Sequence, residues 1–171
     1  MASKKLEAAR KLVKARKKGF LLCLDPSVSK TGVALFSLEE KKIIWSRTIS
    51  GSSTTIVAEI FSILKAVSNN RKESKIVCIE NPTYYGGRGE AAHSSGRIGV
   101  LYRIAGIFYG LGIATQWECI ELTPLEWKGN LPKAITTKKI NRIYGLELNP
   151  TGTDSDEADA IAIGSRILGE W

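Results

Sequence analysis

The sequence is poor in the residues that build zinc sites and disulfide frameworks. It contains one histidine, His93, and three cysteines, Cys23, Cys78 and Cys119, which lie far apart and form no CxxC pair. This pattern argues against both a structural zinc site and a disulfide-stapled fold. Each cysteine instead lies in an apolar, strand-like stretch, so we expect small buried side chains in a reducing compartment.

Long apolar runs are also absent. No stretch approaches the roughly 20 apolar residues that are needed to span a bilayer, and no apolar segment typical of a signal peptide is found. The composition, with 43% hydrophobic and 25% charged residues among 171, is that of an ordinary globular domain. We therefore expect a protein with no membrane partner, in the cytoplasm of a bacterial or phage-infected cell.

Acidic residues are in the minority, and the excess positive charge lies near the N-terminus. The net charge is +8, and residues 1–18 hold eight basic residues and one acid, which leaves +1 for the remainder. We therefore divide the chain into a basic N-terminal arm, residues 1–18, and a folded domain, residues 19–171. A basic block of this kind often contacts nucleic acid. A solvated, partly helical tail and an organelle-targeting peptide are alternative interpretations.

Hydrophobic patterning predicts an α/β fold. Apolar runs predict strands at residues 20–25, 32–36, 41–48, 75–80 and 117–122. Periodicity and turn signals predict helices at residues 54–68, 94–112, 136–145 and from 153 onward, with a short helical turn at Pro124. The resulting order, β-β-β-α-β-α-β-α-α, predicts a mixed five-stranded sheet flanked by helices.

Four carboxylates lie where acidic residues are hard to explain by structure alone. Asp25 ends the first apolar run, Glu80 ends that of the fourth strand, and Asp156 and Asp159 open the last helix. A carboxylate at the end of a buried segment is costly unless a partner compensates its charge. If the first and fourth strands are neighbours at the centre of the sheet, Asp25 and Glu80 emerge at one site. Their convergence suggests a shared cation.

The acids of the last helix fall into two pairs. Asp154 and Glu157 have the spacing of a helix N-cap and its N3 partner, which assigns both a structural role. Asp156 and Asp159 are three residues apart and project from one face. The helix dipole would explain an acid at Asp156 but explains Asp159, a turn further in, poorly. The small Ala158 beside them would let this helix end approach a strand.

Carboxylate oxygens at one site indicate a hard divalent cation, Mg²⁺ or Mn²⁺. Two such ions about 4 Å apart can activate a water and stabilise the leaving oxygen of a phosphodiester. No cluster of histidine or cysteine competes with this interpretation, because the single histidine lies in a basic loop. The four acids therefore predict metal-dependent chemistry on phosphate.

The same residues carry a family resemblance. Four short segments resemble the RuvC family of Holliday junction resolvases, particularly its phage-type members. They are LDPS at 24–27, TGVA at 31–34, VCIE at 77–80 and DEADA at 156–160. The resemblance covers about residues 20–168. It implies an RNase H-like fold and a homodimer that cuts four-way DNA junctions. It also implies a catalytic, metal-binding tetrad of Asp25, Glu80, Asp156 and Asp159 that holds two Mg²⁺ or Mn²⁺ ions.

The resemblance has further implications for mechanism and selectivity. Asp25 would contact both ions, and hydrolysis would leave 5′-phosphate and 3′-hydroxyl ends. The basic residues that the family carries before its last helix fall near Lys128 and Lys138. The chain departs from the bacterial pattern in its basic arm, residues 1–18, and in the loop after Glu80. These departures bear on sequence preference and junction selectivity.

Basic and aromatic residues outside the tetrad are candidates for DNA binding. Aromatic side chains in the loop 84–97 can stack on unpaired bases, for roughly 1–3 kcal/mol each, and basic side chains before the last helix can contact phosphates that flank the cut. The candidates are Tyr84, Tyr85, Arg88, His93, Arg97, Lys128, Lys133, Lys138, Lys139 and Arg142. A mobile surface loop and a solvated basic face are the alternative interpretations.

One glycine-rich helix predicts a homodimer. The predicted helix 94–112 is more apolar than one sheet face requires, with Ile98, Leu101, Ile104, Ile107 and Phe108. Its glycines at three- and four-residue spacing are expected to allow close packing against a sheet or a second helix.

Three other functions compete with junction resolution. An RNase H-like nuclease that acts on other branched or flap DNA, or on RNA, would carry the same acids. An actin-like ATPase also places a Gly/Thr turn after a strand aspartate, but it needs a far longer chain with a second nucleotide-binding half. A catalytically silent branched-DNA binder would not require all four acids. Cleavage assays with Mg²⁺ or Mn²⁺, compared with binding in Ca²⁺, separate the enzyme from the binder.

Overall fold

A five-stranded sheet forms the centre of the protein. The computed structural model describes residues 3–68, 73–83, 96–151 and 154–171. The strands are β1 (Gly19–Pro26), β2 (Lys30–Ser37), β3 (Ile43–Ser50), β4 (Ser74–Glu80) and β5 (Glu118–Leu122). Their order is β3-β2-β1-β4-β5, with antiparallel β1–β2 and β2–β3 pairs and parallel β1–β4 and β4–β5 pairs. The predicted mixed five-stranded sheet is confirmed, and its first and fourth strands are adjacent.

Helices cover both faces of this sheet. They are α1 (Lys4–Ala15), α2 (Ser53–Ser68), α3 (Arg97–Ala114), α4 (Pro124–Trp127), α5 (Lys133–Tyr144) and α6 (Asp154–Leu168). Helices α2 and α3 pack on one face, and α1, α5 and α6 pack on the other. In the part of the chain that the structure describes, no helix is long and apolar enough to cross a membrane.

The central strands are apolar at successive positions because both of their faces are covered. Leu21 and Cys23 of β1 point into the core shared with α6, whereas Leu22 and Leu24 point into the core shared with α2 and α3. The strand β4 repeats this alternation through Cys78 and its neighbours. Cys23 and Cys78 are free and fully buried, as predicted, and Cys119 is free and half-buried.

The basic N-terminal segment contains a helix that packs on the domain. Leu6, Ala9 and Val13 recur at three- and four-residue spacing on α1, and all three are buried in the core beside α6. The Ser3 hydroxyl caps the helix by accepting a hydrogen bond from the backbone N–H of Leu6 at 3.1 Å. The lysines of α1 remain exposed. Residues 4–15 are therefore part of the folded unit and do not form a solvated tail.

The helix α6 approaches β2 unusually closely. A Cβ atom added to Gly32 would lie 1.9 Å from the carbonyl oxygen of Asp156, and one added to Gly164 would lie 2.2 Å from the ring of Phe36. Because backbone atoms and a buried ring do not move aside easily, a larger residue at either position would push the helix away from the strand. The expected approach of this helix end to a strand is confirmed, and the strand contributes a small residue of its own.

Among the described residues, nothing packs closely against the glycines of α3 that led to the packing prediction. The space beside Gly99, Gly106 and Gly110 is open, and Gly96 precedes the helix in a left-handed conformation with φ of 69°. The glycine of α3 that packs closely is Gly112, where an added Cβ would lie 2.5 Å from the Cys119 sulfur. Nothing in the described part of the chain packs on the helix face that carries the open glycines.

Candidate active site

Asp25 and Glu80 are brought together by two neighbouring parallel strands. The β1–β4 register pairs Leu24 with Ile79, so the next position of each strand carries an acid. Both acids follow side chains of the α6-facing core by two residues, and therefore point to the same face of the sheet. Asp25 is only 8% exposed. The sequence-based prediction that both carboxylates emerge at one site agrees with this arrangement.

The helix α6 supplies the other two carboxylates. Asp156 and Asp159 lie on its first two turns, one turn apart, and face the ends of β1 and β4. Asp159 is 3% exposed, so its carboxylate is buried, whereas Asp156 is partly exposed. Gly32 allows this helix end to rest on β2, and the contact at Gly32 is made by the backbone of Asp156 itself. The close helix–strand packing thus sets the position of both aspartates.

The four acids line one open cleft. Its volume is about 580 Å³, and its wall includes all four carboxylate residues together with the turn after β1 and Leu101 of α3. Lys133, from the start of α5, lines the same cleft. The four predicted catalytic residues, from three distant parts of the chain, therefore meet at one site.

Two lysines stand among the carboxylates. The Lys133 ammonium lies 3.3 Å from Asp156 Oδ1 and 3.1 Å from Asp159 Oδ2, and the Lys128 ammonium lies 3.3 Å from Asp159 Oδ2. Both lysines were candidates for contacts with DNA phosphates. The structure places them against the acids, where they supply the positive charge that a buried carboxylate requires.

Burial, and at Asp25 also the repulsion of neighbouring acids, raises the pKa values of the two strand carboxylates. The pKa of Asp25 lies well above its ordinary value because its carboxyl is buried and because Glu80, Asp159 and Asp156 add negative charge, with Lys133 acting in the opposite direction. The pKa of Glu80 rises to about 7, through burial first, and Lys128 limits that rise. Burial therefore dominates at both acids, and at Asp25 the neighbouring carboxylates add to its effect.

Trp127 is a site residue that the sequence analysis did not select. It is fully buried at the end of α4, and its indole N–H donates a hydrogen bond of 2.7 Å to Glu80 Oε2. This bond lowers the pKa of Glu80 and so opposes the larger effect of burial. Trp127 lies 47 positions after Glu80, and no sequence pattern links the two residues. The sequence supports only the general expectation that a buried indole N–H has a hydrogen-bond acceptor.

The structural role predicted for Asp154 and Glu157 needs correction. Asp154 is the first residue of α6 and accepts a hydrogen bond from the backbone N–H of Asn149 at 3.2 Å. Glu157 does not act as its capping partner, because its Oε1 accepts a bond of 2.6 Å from the Ser46 hydroxyl on β3. Glu157 therefore ties α6 to the edge of the sheet. Neither residue lines the cleft.

The carboxylates fit a divalent cation in chemistry but are not arranged as ligands here. Among the described residues, no group of three or more Asp, Glu, His or Cys side chains is positioned to hold a metal ion. The donor set nevertheless consists entirely of hard oxygens, as Mg²⁺ and Mn²⁺ prefer. Asp159 Oδ1 is buried with no hydrogen-bond partner. This orphaned oxygen and the uncompensated repulsion at Asp25 are what a cation would satisfy.

The remaining DNA-binding candidates divide into two groups. Lys138, Lys139 and Arg142 lie on α5, which begins at the cleft, and together with the exposed Ile135 they line a second, smaller cavity. Arg97 begins α3, and its side chain lies outside the described part of the structure. The loop candidates also lie outside the described residues: Tyr84, Tyr85, Arg88 and His93.

The strand order and the flanking helices define an RNase H-like fold. No family model matches the chain, and no curated protein matches it. Among solved structures, RuvC of Thermus thermophilus in complex with a Holliday junction substrate is 17% identical, covers 86% of this chain and 92% of its own, and has a TM-score of 0.60. The yeast mitochondrial Holliday junction resolvase Ydc2 is 12% identical, covers 98% of this chain and 85% of its own, and has a TM-score of 0.54. The predicted RuvC-like fold is confirmed.

Proposed function

We propose that this protein is a structure-selective endonuclease that resolves four-way DNA junctions in a reaction dependent on Mg²⁺ or Mn²⁺. The observation that carries the proposal is the convergence of Asp25, Glu80, Asp156 and Asp159 at one cleft in a chain with the RuvC-like fold. The carboxylates of Asp25 and Asp159 are buried close to further acids, an arrangement that costs stability and is typical of functional sites. The resolvases of similar fold support four-way junctions as the substrate class.

The side chains of the cleft have separable tasks in such a reaction. We propose that Asp25, Glu80, Asp156 and Asp159 hold the divalent cations, two in number. A bound cation supplies positive charge that activates a water and stabilises the leaving oxygen of a phosphodiester. Lys128 and Lys133 keep the acids together before the cation arrives and can then turn toward the phosphate groups of DNA. The products would carry 5′-phosphate and 3′-hydroxyl ends.

The decisive experiment compares branched and unbranched substrates. A synthetic four-way junction, a three-way junction, a flap, a matched duplex and an RNA–DNA hybrid are incubated with the protein in Mg²⁺ or Mn²⁺, with both strands end-labelled. We expect paired incisions in the four-way junction and little cleavage of the duplex. Preference for the flap or the hybrid would assign the protein to another class of RNase H-like nuclease.

Substitutions at the acids test the site itself. Asp25→Asn and Asp159→Asn should each lower cleavage by several orders of magnitude while binding to the junction in Ca²⁺ persists. Asp154→Asn is the matched control, because the same change is made on α6 at a residue that does not line the cleft. Near-normal cleavage by Asp25→Asn would refute the proposal. Binding without cleavage by the unaltered protein would identify a silent junction binder.

We propose that α5 and α1 contact the DNA backbone next to the cleft. Lys138 is exposed on α5, Arg142 lies one turn further along, and both line the cavity beside Ile135. The exposed lysines of α1 would add affinity that does not depend on sequence. Replacing Lys138 and Arg142 by alanine should weaken junction binding and reduce its salt dependence by about one unit of slope per lost phosphate contact. An unchanged slope would exclude α5 from the interface.

We also propose that the protein acts as a homodimer through the outer face of α3. Two of the five residues that led to this prediction, Ile104 and Phe108, are buried in the chain's own core. The outer face instead presents Tyr102 and Ile113, which are 45% and 56% exposed, beside the open glycines. Apolar side chains next to glycines suit close helix packing, and a two-fold dimer would align two cleavage sites on one junction.

Sedimentation tests this dimer directly. The protein should sediment as a dimer at micromolar concentration, and Ile113→Asp should convert it to a monomer without unfolding it. Lys65→Asp is a control charge change on another helix, in the last turn of α2. A monomeric wild-type protein would contradict the dimer and weaken the case for paired incision.

The three unpaired cysteines fit a reducing compartment. We therefore propose the cytoplasm of a bacterial or phage-infected cell as the site of action.

A further inference from the structure

Trp127 holds one oxygen of Glu80 in a fixed position. The indole N–H donates to Glu80 Oε2 at 2.7 Å, and within the described residues it is the one hydrogen-bond donor to that carboxylate. The indole is fully buried, so water cannot compete for this bond. The α4 turn that carries Trp127 is closed by a capping box, in which Thr123 Oγ1 accepts from Glu126 N at 3.3 Å and Glu126 Oε2 accepts from Thr123 N at 2.8 Å.

The opposite side of Trp127 is anchored as well. Arg166 of α6 donates from Nε to the Trp127 carbonyl oxygen at 2.7 Å, and Arg10 of α1 donates from Nε to the Arg166 carbonyl oxygen at 2.8 Å. The Arg166 carbonyl is one of the last four in α6, which lack partners within the helix. Hydrogen bonds therefore run from α1 through α6 to α4 and end at the Glu80 carboxylate.

The chemistry of the donor distinguishes Trp127 from the other groups that contact the acids. Lys128 and Lys133 are cations, so a divalent metal ion would repel them and compete with them for the same oxygens. The indole N–H is neutral, and it can stay in place when a cation binds the remaining oxygen of Glu80. A neutral donor behind a metal ligand orients that ligand without opposing the metal.

We propose that Trp127 is a positioning residue that orients Glu80 for cation binding, and that Arg166 and Arg10 hold Trp127 in place. The inference rests on the proposed function, because it takes Glu80 to be a cation ligand. It predicts that loss of the indole N–H weakens cation binding even when the fold is intact. It also assigns the basic N-terminal helix a role in building the site, in addition to any contact with DNA.

The test measures Mn²⁺ binding to the full chain by isothermal titration calorimetry, without DNA. Trp127→Phe keeps an aromatic ring but removes the donor, and it should weaken Mn²⁺ binding by about 10- to 100-fold, as loss of a partner behind a metal ligand typically does. Trp117→Phe is the matched control, because Trp117 is 3% exposed and its indole N–H donates to Ser68 Oγ at 2.8 Å on the other face of the sheet. This control should leave Mn²⁺ binding within twofold of the wild type.

A double substitution separates positioning from general loosening. If Trp127 acts through Glu80, adding Trp127→Phe to Glu80→Gln should change Mn²⁺ affinity little beyond the effect of Glu80→Gln alone. The proposal is overturned if Trp127→Phe lowers Mn²⁺ affinity as much in Glu80→Gln as in the wild type. It is also overturned if Trp127→Phe binds Mn²⁺ as tightly as the wild type, or if Trp117→Phe loses as much Mn²⁺ affinity as Trp127→Phe. The same holds for a wild-type protein that binds no Mn²⁺. A protein that binds Mn²⁺ but leaves four-way junctions uncut would contradict only the proposed function.

If Trp127→Phe does not fold, an NMR measurement on protein that keeps Trp127 tests the proposal instead. The indole N–H resonances of ¹⁵N-labelled protein report each tryptophan separately. The resonance that moves in Glu80→Gln should also move when Mg²⁺ is added to the wild type, whereas the resonance missing from Trp117→Phe should not. If no indole N–H resonance shifts when Mg²⁺ is added, the proposal is overturned.

Discussion

Replacing Gly32 by alanine should disable the site while leaving the fold intact. The added Cβ would lie 1.9 Å from Asp156 O and 2.2 Å from Asp156 C, both of which are backbone atoms. Reaching an ordinary contact of 3.4 Å requires the start of α6 to move by about 1.5 Å. Asp156 and Asp159 move with it. Because a misplacement of about 1 Å can lower a rate by roughly 100-fold, we expect at least that loss in kcat/KM.

The stability of the variant distinguishes displacement from unfolding. Overpacking of this kind costs about 1–3 kcal/mol, which a domain of ordinary stability tolerates. Gly164→Ala provides the control, because it strains the same helix–strand interface against the Phe36 ring, farther from the acids. We expect both variants to unfold at lower urea concentration, and only Gly32→Ala to lose Mn²⁺ binding and junction cleavage. Normal cleavage by Gly32→Ala, or equal loss in both variants, would refute the argument that this contact sets the aspartates.

Two further predictions follow from the charges of the cleft. Without metal, the pKa of Glu80 is about 7 in the folded protein, against an ordinary value of 4.5, so the folded state holds the Glu80 proton more tightly than the unfolded state does. Protonated Glu80 therefore adds stability on the order of 3 kcal/mol. This contribution is present below about pH 4.5 and is lost as the pH rises through about 7. The Tm in EDTA should therefore fall from pH 5 to pH 8, and a flat profile in wild type or an unaltered one in Glu80→Gln would contradict the assignment. Lys133→Ala leaves Asp156 and Asp159 without the ammonium that they share, so it should destabilise the metal-free protein by about 1–3 kcal/mol. Added Mg²⁺ should restore much of that loss of stability in urea unfolding. The control Lys138→Ala, at an exposed lysine, should change urea unfolding little with or without Mg²⁺.

The positions of the four acids could be predicted because they depend on local pattern and simple topology. Asp25 and Glu80 end continuous apolar runs, and such runs become central strands whose ends coincide when the strands are parallel neighbours. Asp156 and Asp159 share a helix face by their spacing alone. Each of these inferences needs only the periodicity of one element and the adjacency of two strands.

The parts of the site that could not be predicted depend on contacts between distant segments. Trp127 meets Glu80 across 47 positions, and Arg10 meets Arg166 across 156. Neither pair has a periodic signal, because each follows from how α1, α4 and α6 pack together. The same reason explains Glu157, whose spacing suggested a cap but whose carboxylate bonds to Ser46 on β3. Local spacing indicated which groups were present, whereas tertiary packing decided their partners.

The spacing of the glycines in α3 did not identify what packs against them. Four glycines suggested close packing, yet the one that packs within the chain is Gly112, against Cys119 and Val77. A glycine lowers helix propensity by about 1 kcal/mol relative to alanine whether or not something packs on it. The pattern therefore predicted a close approach, and the described residues make none at the four glycines that suggested it.

The docking of α1 on α6 also bears on the order in which the molecule can become active during synthesis. Arg10 and Arg166 join the first and last helices, and the acids of the site come from β1, β4 and α6. A chain that emerges from the ribosome N-terminus first can pair β1, β2 and β3 early, because they are neighbours in sequence. It presents the lysines of α1 long before Asp156 and Asp159 exist. The nascent chain therefore carries its basic helix early, but it acquires a complete set of carboxylates only when its last helix packs on the sheet.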